Sequence, residues 1–270
     1  MKLACSSRIA PGSTYREKVA SLERFGFAGI EARLPEDEAT PERVEEVEEA
    51  LAHSSVRACS LIVPGPVYVA PLDSEDAKQR KLEKGKSALR IGARLGAPVF
   101  IAPEYRPQSP LPLFDPPRSL DARERELFFS FLRDIAECAE KVAAVALLEP
   151  INRYETHYYH RLEEAVAVCQ QIGSPRVKVV ADFFHMNIEE ADIPASIARA
   201  AGYIGHVQLA DSNRLLPGQG HTDFTAGFTA LRQIGYDGYM ALECRIPAQP
   251  ERELPECVRY LRQCLGESLG

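Results

Sequence analysis

The residues of this chain best suited to chemistry are Glu149, Asp182, Gln208 and Glu243, because each lies at the end of a short apolar run that reads as a β-strand. They are separated by 33, 26 and 35 residues, which is close to one strand-plus-helix repeat. His185, His206, Asp211 and Arg214 stand beside them. A chain seldom ends successive buried strands in so many polar groups unless those ends form a site. Three carboxylates crowded together repel and raise one another's pKa values. With an amide oxygen added they make an oxygen-rich cage, and a divalent cation is the economical relief for its charge. Any one of these acids alone could be a structural residue satisfied by a nearby Lys or Arg. The inference rests on all four standing at matching strand ends.

Those ends meet only if the strands are neighbours, and the rest of the chain supplies the neighbours. Apolar runs at 3–8, 27–33, 56–63, 98–105, 145–153, 178–185, 205–214 and 239–245 alternate with amphipathic helical stretches. Helix 15–25 carries Val19, Leu22 and Phe25 at helical spacing and is closed by Gly26. Thr40-Pro41-Glu42 opens another with an N-cap, a proline at the first helical position and an acid in the first turn. Helices at 73–95, 121–143, 162–172, 193–201, 224–234 and 251–265 follow, three of them stopped by Gly96, Gly173 and Gly235. Eight β-then-α units joined by right-handed crossovers predict a (β/α)8 TIM barrel, a single domain over 1–270. The strands are apolar without clean alternation, as parallel strands covered on both sides should be. Between 107 and 117 five prolines predict a stiff irregular loop, either a surface excursion or a wall of the site.

Bulk properties narrow the function. A net charge of −7 argues against nucleic acid or anionic membrane as a partner. No run approaches the ~20 apolar residues that span a bilayer, and the start does not read as a signal peptide, so the expected location is cytoplasmic. Seven cysteines without a CxxC pair predict buried, reduced thiols rather than a zinc site. The PGQGH turn at 217–221 lacks the Lys-Ser/Thr of a phosphate loop. Arg8, Glu31, Arg33 and Glu104 follow early strands; an arginine there could take a substrate anion, but salt bridging between strand ends is the expectation.

The second half of the chain resembles a known family. LEPINRYE (148–155), DFFHMNIEE (182–190), GHVQLADSNRLLPGQG (205–220) and GYDGYMALE (235–243) are similar to the sugar isomerase/epimerase family with a xylose-isomerase-like barrel, its D-tagatose and D-psicose 3-epimerase branch in particular. The first half matches mainly in strand order. The resemblance implies a divalent metal held by Glu149, Asp182, Gln208 and Glu243. Gln208 departs from that branch, which has histidine there, and matches the hydroxypyruvate isomerase branch; His206, two residues earlier on the same face, is the alternative ligand. An all-oxygen set shifts the expected ion toward Mg2+ or Mn2+, with Zn2+ and Co2+ less favoured.

The chemistry this implies is proton transfer beside a carbonyl through a cis-enediolate, on a small ketose or a keto-acid such as hydroxypyruvate. Glu149 and Glu243 would be the catalytic pair, one taking the proton and the other returning it. His185, Arg214 and Glu155 resemble the family's substrate-binding residues. The family also implies dimers or tetramers. An inosose-type dehydratase would use the same first step. An abasic-site endonuclease shares the barrel but needs a histidine-rich zinc cluster and a basic groove, which six histidines and a pI near 5.5 do not favour. A barrel that merely binds metal or sugar would have no use for both glutamates.

Overall fold

The computed structural model describes residues 1–104 and 118–267. The predicted loop at 107–117 therefore falls outside the described residues. Strands β1 (Lys2–Ser6), β2 (Gly29–Arg33), β3 (Arg57–Ile62), β4 (Val99–Phe100), β5 (Ala146–Leu148), β6 (Val177–Asp182), β7 (Ile204–Leu209) and β8 (Tyr239–Leu242) close into a barrel. Every neighbouring pair is parallel, and β8 returns to β1 through Lys2 opposite Tyr239 and Cys5 opposite Leu242. Around it run α1 (Tyr15–Phe25), α2 (Pro41–Ala52), α3 (Pro66–Val69), α4 (Glu75–Leu95), α5 (Ala122–Lys141), α6 (Leu162–Ile172), α7 (Phe183–Glu189), α8 (Ile193–Arg199), α9 (Phe224–Gln233) and α10 (Pro250–Cys264). The fold is the (β/α)8 TIM barrel that the sequence predicts. Among the described residues, no helix is long and apolar enough to cross a membrane. All seven cysteines are free thiols, six of them buried.

The helices start and stop on local signals. Thr14 caps α1 in a reciprocal box with Glu17, and Gly26 ends it in the left-handed region at φ 87°. Asp121 and Glu124 form the same box on α5. Several expected strands end early: the runs 98–105, 145–153 and 205–214 are strand over Val99–Phe100, Ala146–Leu148 and Ile204–Leu209. The run 178–185 is extended only to Asp182, whose carboxylate then accepts the Phe184 N–H at 2.8 Å and turns the chain into α7. Phe183 stacks on Phe224 at 5.6 Å, outside the barrel. An apolar pair such as Phe183-Phe184 suits a buried strand and a buried helix equally, so the pattern could not separate them.

Alternation along the strands decides what faces inward. Leu148, Ala181, Val207, Leu209, Met240 and Leu242 join the large core between barrel and helices. Leu147 and Val180 pack with Ile62 and Phe100 in a separate cluster, and Ala241 packs with Ala4 and Cys59 in a third. Glu149, Asp182 and Glu243 lie two residues beyond Leu147, Val180 and Ala241, so they continue the inner face at its C-terminal rim. Gln208 is drawn level by register, opposite Asp182 on one side and Ala241 on the other. Two register shifts adjust the rim, one between Ile30 and Glu31 and one between Val179 and Val180. The first brings Glu31 opposite Ser60, and the second brings Val180 opposite His206. Bulges of this kind re-aim side chains near sites.

The packing of α4 on the short β4 gives a test. Gly92 is buried on α4, and a Cβ there would lie 2.2 Å from Val99 Cγ2 and 2.7 Å from the Ala97 carbonyl oxygen. Helix propensity favours alanine over glycine by about 1 kcal/mol. Overpacking costs roughly 1–3 kcal/mol, and a backbone oxygen cannot move aside as a side-chain tip can. Gly92→Ala should therefore destabilise the protein, and the urea midpoint followed by circular dichroism should fall rather than rise.

Candidate active site

Glu149, Asp182, Gln208 and Glu243, with Glu31 behind them, converge at the C-terminal rim, where barrels of this type carry their chemistry. Asp182, Gln208 and Glu31 are buried, and the Glu149 and Glu243 side chains are only 13% and 14% exposed. Glu149 is pushed well above the usual carboxylate range by burial and then by the charges of Asp182 and Glu243. Asp182 is pushed up to about 7, chiefly by burial; Arg214 draws it back and Glu243 adds to the rise. Glu243 is raised by burial too, with Arg214 opposing. Two arginines hold Glu243: Arg33 Nη1 lies 3.4 Å from Oε1 and Arg214 Nη2 donates to Oε2 at 3.0 Å.

Atoms of Glu149, Asp182 and His185 able to ligate a cation lie within 4.8 Å of one another. His185 Nε2 stands 3.5 Å from Asp182 Oδ2 and 3.6 Å from Glu149 Oε1. Its other nitrogen decides what it can do. Nδ1 faces the backbone N–H of Asn152 at 3.2 Å and the Asn152 amide nitrogen at 2.8 Å. A backbone N–H can only donate, so Nδ1 carries a lone pair. Burial, and then the charge of Arg214, pulls the His185 pKa well below its ordinary value, so the ring is neutral. Its one proton is then on Nε2, which makes that atom a hydrogen-bond donor rather than a ligand.

Arg214 sits at φ 60°, one of two non-glycine residues with positive φ among those described. Such a conformation costs of order 1 kcal/mol and persists only where the surroundings impose it. The buried Asp211 supplies much of that constraint. Its carboxylate accepts the N–H groups of Ser212, Gly218 and Thr222 at 2.8, 2.8 and 3.0 Å, and its backbone carbonyl accepts that of Arg214 at 2.8 Å. Burial alone would raise the Asp211 pKa, but hydrogen bonds from the Thr222, Ser212 and Gly220 backbone outweigh it and the net shift is downward. The guanidinium of Arg214 then lies over the Phe184 ring at 4.5 Å, with Nη1 3.6 Å from Glu155. Glu155 also accepts the Asn152 amide at 2.8 Å, so Glu155, Asn152, His185 and Arg214 are held as one group.

Whether this ring suits a cation can be judged from its unpaired atoms. Asp182 Oδ2 and Gln208 Oε1 are buried and have no hydrogen-bond partner. Unpaired buried oxygens are costly, and two at adjacent strand ends call for a shared positive partner. The residues fit a hard divalent ion: Glu149, Asp182, Gln208 and Glu243 offer oxygen donors only.

Some residues stand where the sequence reading had not put them. Glu31 pairs with no arginine or lysine among the described residues; Ser60 Oγ, His206 Nε2 and Gln208 Nε2 all meet its Oε2, at 3.0, 3.1 and 3.1 Å. The salt bridging expected of Arg33 is present, to Glu243, while Arg8 is exposed. His206 lies beneath Gln208, edge-on to Phe100 with ring centroids 5.8 Å apart. Asn152, in the INR of 151–153 just beyond the end of β5, is a site residue that the sequence motifs do not single out. A narrow pocket opens beside Glu149, walled by Tyr68, Phe100, Tyr158 and Tyr159.

Comparison with known proteins agrees with the fold. The family described as "Xylose isomerase-like TIM barrel" matches residues 19–264. The 3-dehydro-D-guloside 4-epimerase of Escherichia coli is 28% identical over 98% of this chain and 100% of that protein. The D-psicose 3-epimerase of Enterocloster bolteae is 39% identical over 112 residues, 42% of this chain and 37% of that protein. The crystal structure of apo 3-keto-D-glucoside 4-epimerase from E. coli superposes with a TM-score of 0.86 at 28% identity, over 98% of this chain and 100% of that one.

The raised carboxylate gives the site a pH signature. Asp182 holds its proton to about 7 in the folded chain, against an ordinary value of 3.8. Between these values the folded state binds more protons than the unfolded one, so this stability is present below about pH 4 and lost as pH rises through 7. In chelator-treated protein, the fall in Tm from pH 5 to pH 8 should be shallower in Asp182→Asn than in the wild type. Equal slopes would mean that Asp182 is not the group responsible.

Proposed function

This chain belongs to the xylose isomerase-like TIM barrel family, and on that footing we propose that it is a metal-dependent epimerase or isomerase that moves a proton at the carbon beside the ketone of a sugar. The observation that carries the reading is the convergence of the largely buried Glu149 and Glu243 on the buried Asp182, with unpaired oxygens on Asp182 and Gln208. The names of the relatives share one chemical feature. An epimerase acting at C4 of a 3-dehydro sugar and one acting at C3 of a 2-ketose both invert the carbon next to a ketone. The match to the first spans the whole chain, so a keto-glycoside is as apt a substrate as a free ketose.

Glu149, Asp182, Gln208 and Glu243 would hold the cation, with Mg2+ or Mn2+ favoured by the all-oxygen set. A bound cation would polarise the ketone and an adjacent hydroxyl, offsetting the charge that develops as the proton leaves. Glu149 and Glu243 are the proton carriers in this reading. Both lie at the rim, burial raises both above the ordinary carboxylate range, and a carboxylate can accept a proton and return it. Delivering the proton to the opposite face of the enediolate gives epimerisation; delivering it to the neighbouring carbon gives aldose–ketose interconversion. His185 presents Nε2–H as a neutral donor to an enediolate oxygen, and Asn152 prevents the ring from adopting the other tautomer. Arg214 adds a fixed positive charge, aimed by Asp211, Phe184 and Glu155.

The test is solvent deuterium exchange. In D2O with Mn2+ supplied, a panel of 2-ketoses, 3-keto-glycosides and hydroxypyruvate should include at least one compound that gains a single deuterium beside its carbonyl. Glu149→Gln and Glu243→Gln should each reduce that exchange by about 10²–10⁴-fold, the usual contribution of a positioned acid or base. Chelation should abolish it and Mn2+ restore it. Loss of water from the product, read by mass, would point to dehydration instead, and no exchange across the panel would remove the reading.

A further inference from the structure

Glu31 is a buried carboxylate of the rim that the mechanism leaves without a task. It is fully buried, and its Oε2 meets Ser60, His206 and Gln208 at about one hydrogen-bond length each. Its pairing with Ser60 follows from the register shift after Ile30, so the fold departs from regular strand geometry at the residue concerned.

The contact with Gln208 has a directional consequence. An amide has one donor end and one acceptor end. A carboxylate accepts, so the end of Gln208 that faces Glu31 must be the N–H2 group, as the 3.1 Å Nε2–Oε2 contact shows. The carbonyl oxygen is thereby turned the other way, and it is the atom found buried without a partner. Without an acceptor at Glu31 the two ends of the amide could exchange, presenting N–H2 to the ring, which repels a cation. We propose that Glu31 is a positioning residue whose carboxylate locks the Gln208 amide with its carbonyl oxygen toward the carboxylate ring. The proposal rests on the metal-dependent reading above, and supporting contacts of this sort commonly govern metal affinity by about 10–100-fold.

Glu31 could also act through its negative charge alone, and a double-mutant cycle separates the two routes. Mn2+ affinity would be measured by calorimetry for the wild type, Glu31→Leu, Gln208→Ala and the double variant, each checked for native circular dichroism. Glu31→Leu leaves the Gln208 amide without an acceptor and should weaken Mn2+ binding by about 10–100-fold beside Gln208, and by no more than about threefold once Gln208 is alanine. The same fold-loss in both backgrounds would overturn the proposal in favour of simple charge, and no loss beside Gln208 would overturn it outright. If Glu31→Leu does not fold, Glu31→Asp keeps the charge while withdrawing the acceptor from the amide: a loss beside Gln208 that disappears once Gln208 is alanine supports the proposal, and no loss overturns it. A wild type that binds no Mn2+ would remove the metal-dependent reading and this proposal with it. Mn2+ binding unaltered by changes at Glu31 would remove the proposal alone.

Discussion

The structure is organised by the cost of keeping several carboxylates together and out of water. Glu31 lies within β2, Glu149, Asp182 and Glu243 stand at the ends of β5, β6 and β8, and burial is the leading cause of the upward shifts at the last three. Isolated buried carboxylates are tolerated only when protonated, paired or bound to a cation. The barrel provides part of the answer itself, by placing Arg214 and Arg33 against Glu243. It leaves one oxygen each of Glu31, Asp182 and Gln208 without a partner, and those atoms hold the remaining demand for positive charge. Function and instability have the same origin here, as is usual where a site is made of groups that would not be chosen for stability.

The barrel itself was legible because its evidence is repeated. Strand, helix and glycine stop recur along the chain, and an error at one boundary does not disturb the order of the others. The same redundancy located Glu149, Asp182, Gln208 and Glu243, since four strand ends in sequence must share a rim. What was not legible depended on single-residue shifts. Glu31 looked like one more strand-end acid awaiting an arginine, because nothing in GIEAR announces a bulge after Ile30. Once the register slips there, Glu31 comes opposite Ser60 and Oε2 comes within reach of β7.

His185 shows a different limit. Residue type and spacing place a histidine one turn into α7, near Asp182, and such a histidine is equally suited to ligate a cation or to donate to a substrate. Distances alone favour ligation, since Nε2 lies among carboxylate oxygens. The choice is made on the far side of the ring by Asn152, from the loop after β5. A tautomer is a property of a hydrogen-bond network, and the network joins residues 33 positions apart.

The same logic bears on why an amide stands at 208. A carboxylate there would face Glu31 across about 3 Å, and two unit charges at that separation repel by roughly 5 kcal/mol even at an effective dielectric of about 20. It would have to be protonated, and a protonated acid facing Glu31 spends its hydrogen there. Glutamine reaches the same arrangement without charge: a donor toward the buried acid and an acceptor toward the ring. The neutral residue among the rim acids thus follows from the acid behind it. Glu31 and Gln208 are best regarded as one device, divided between β2 and β7 and assembled only when the barrel closes.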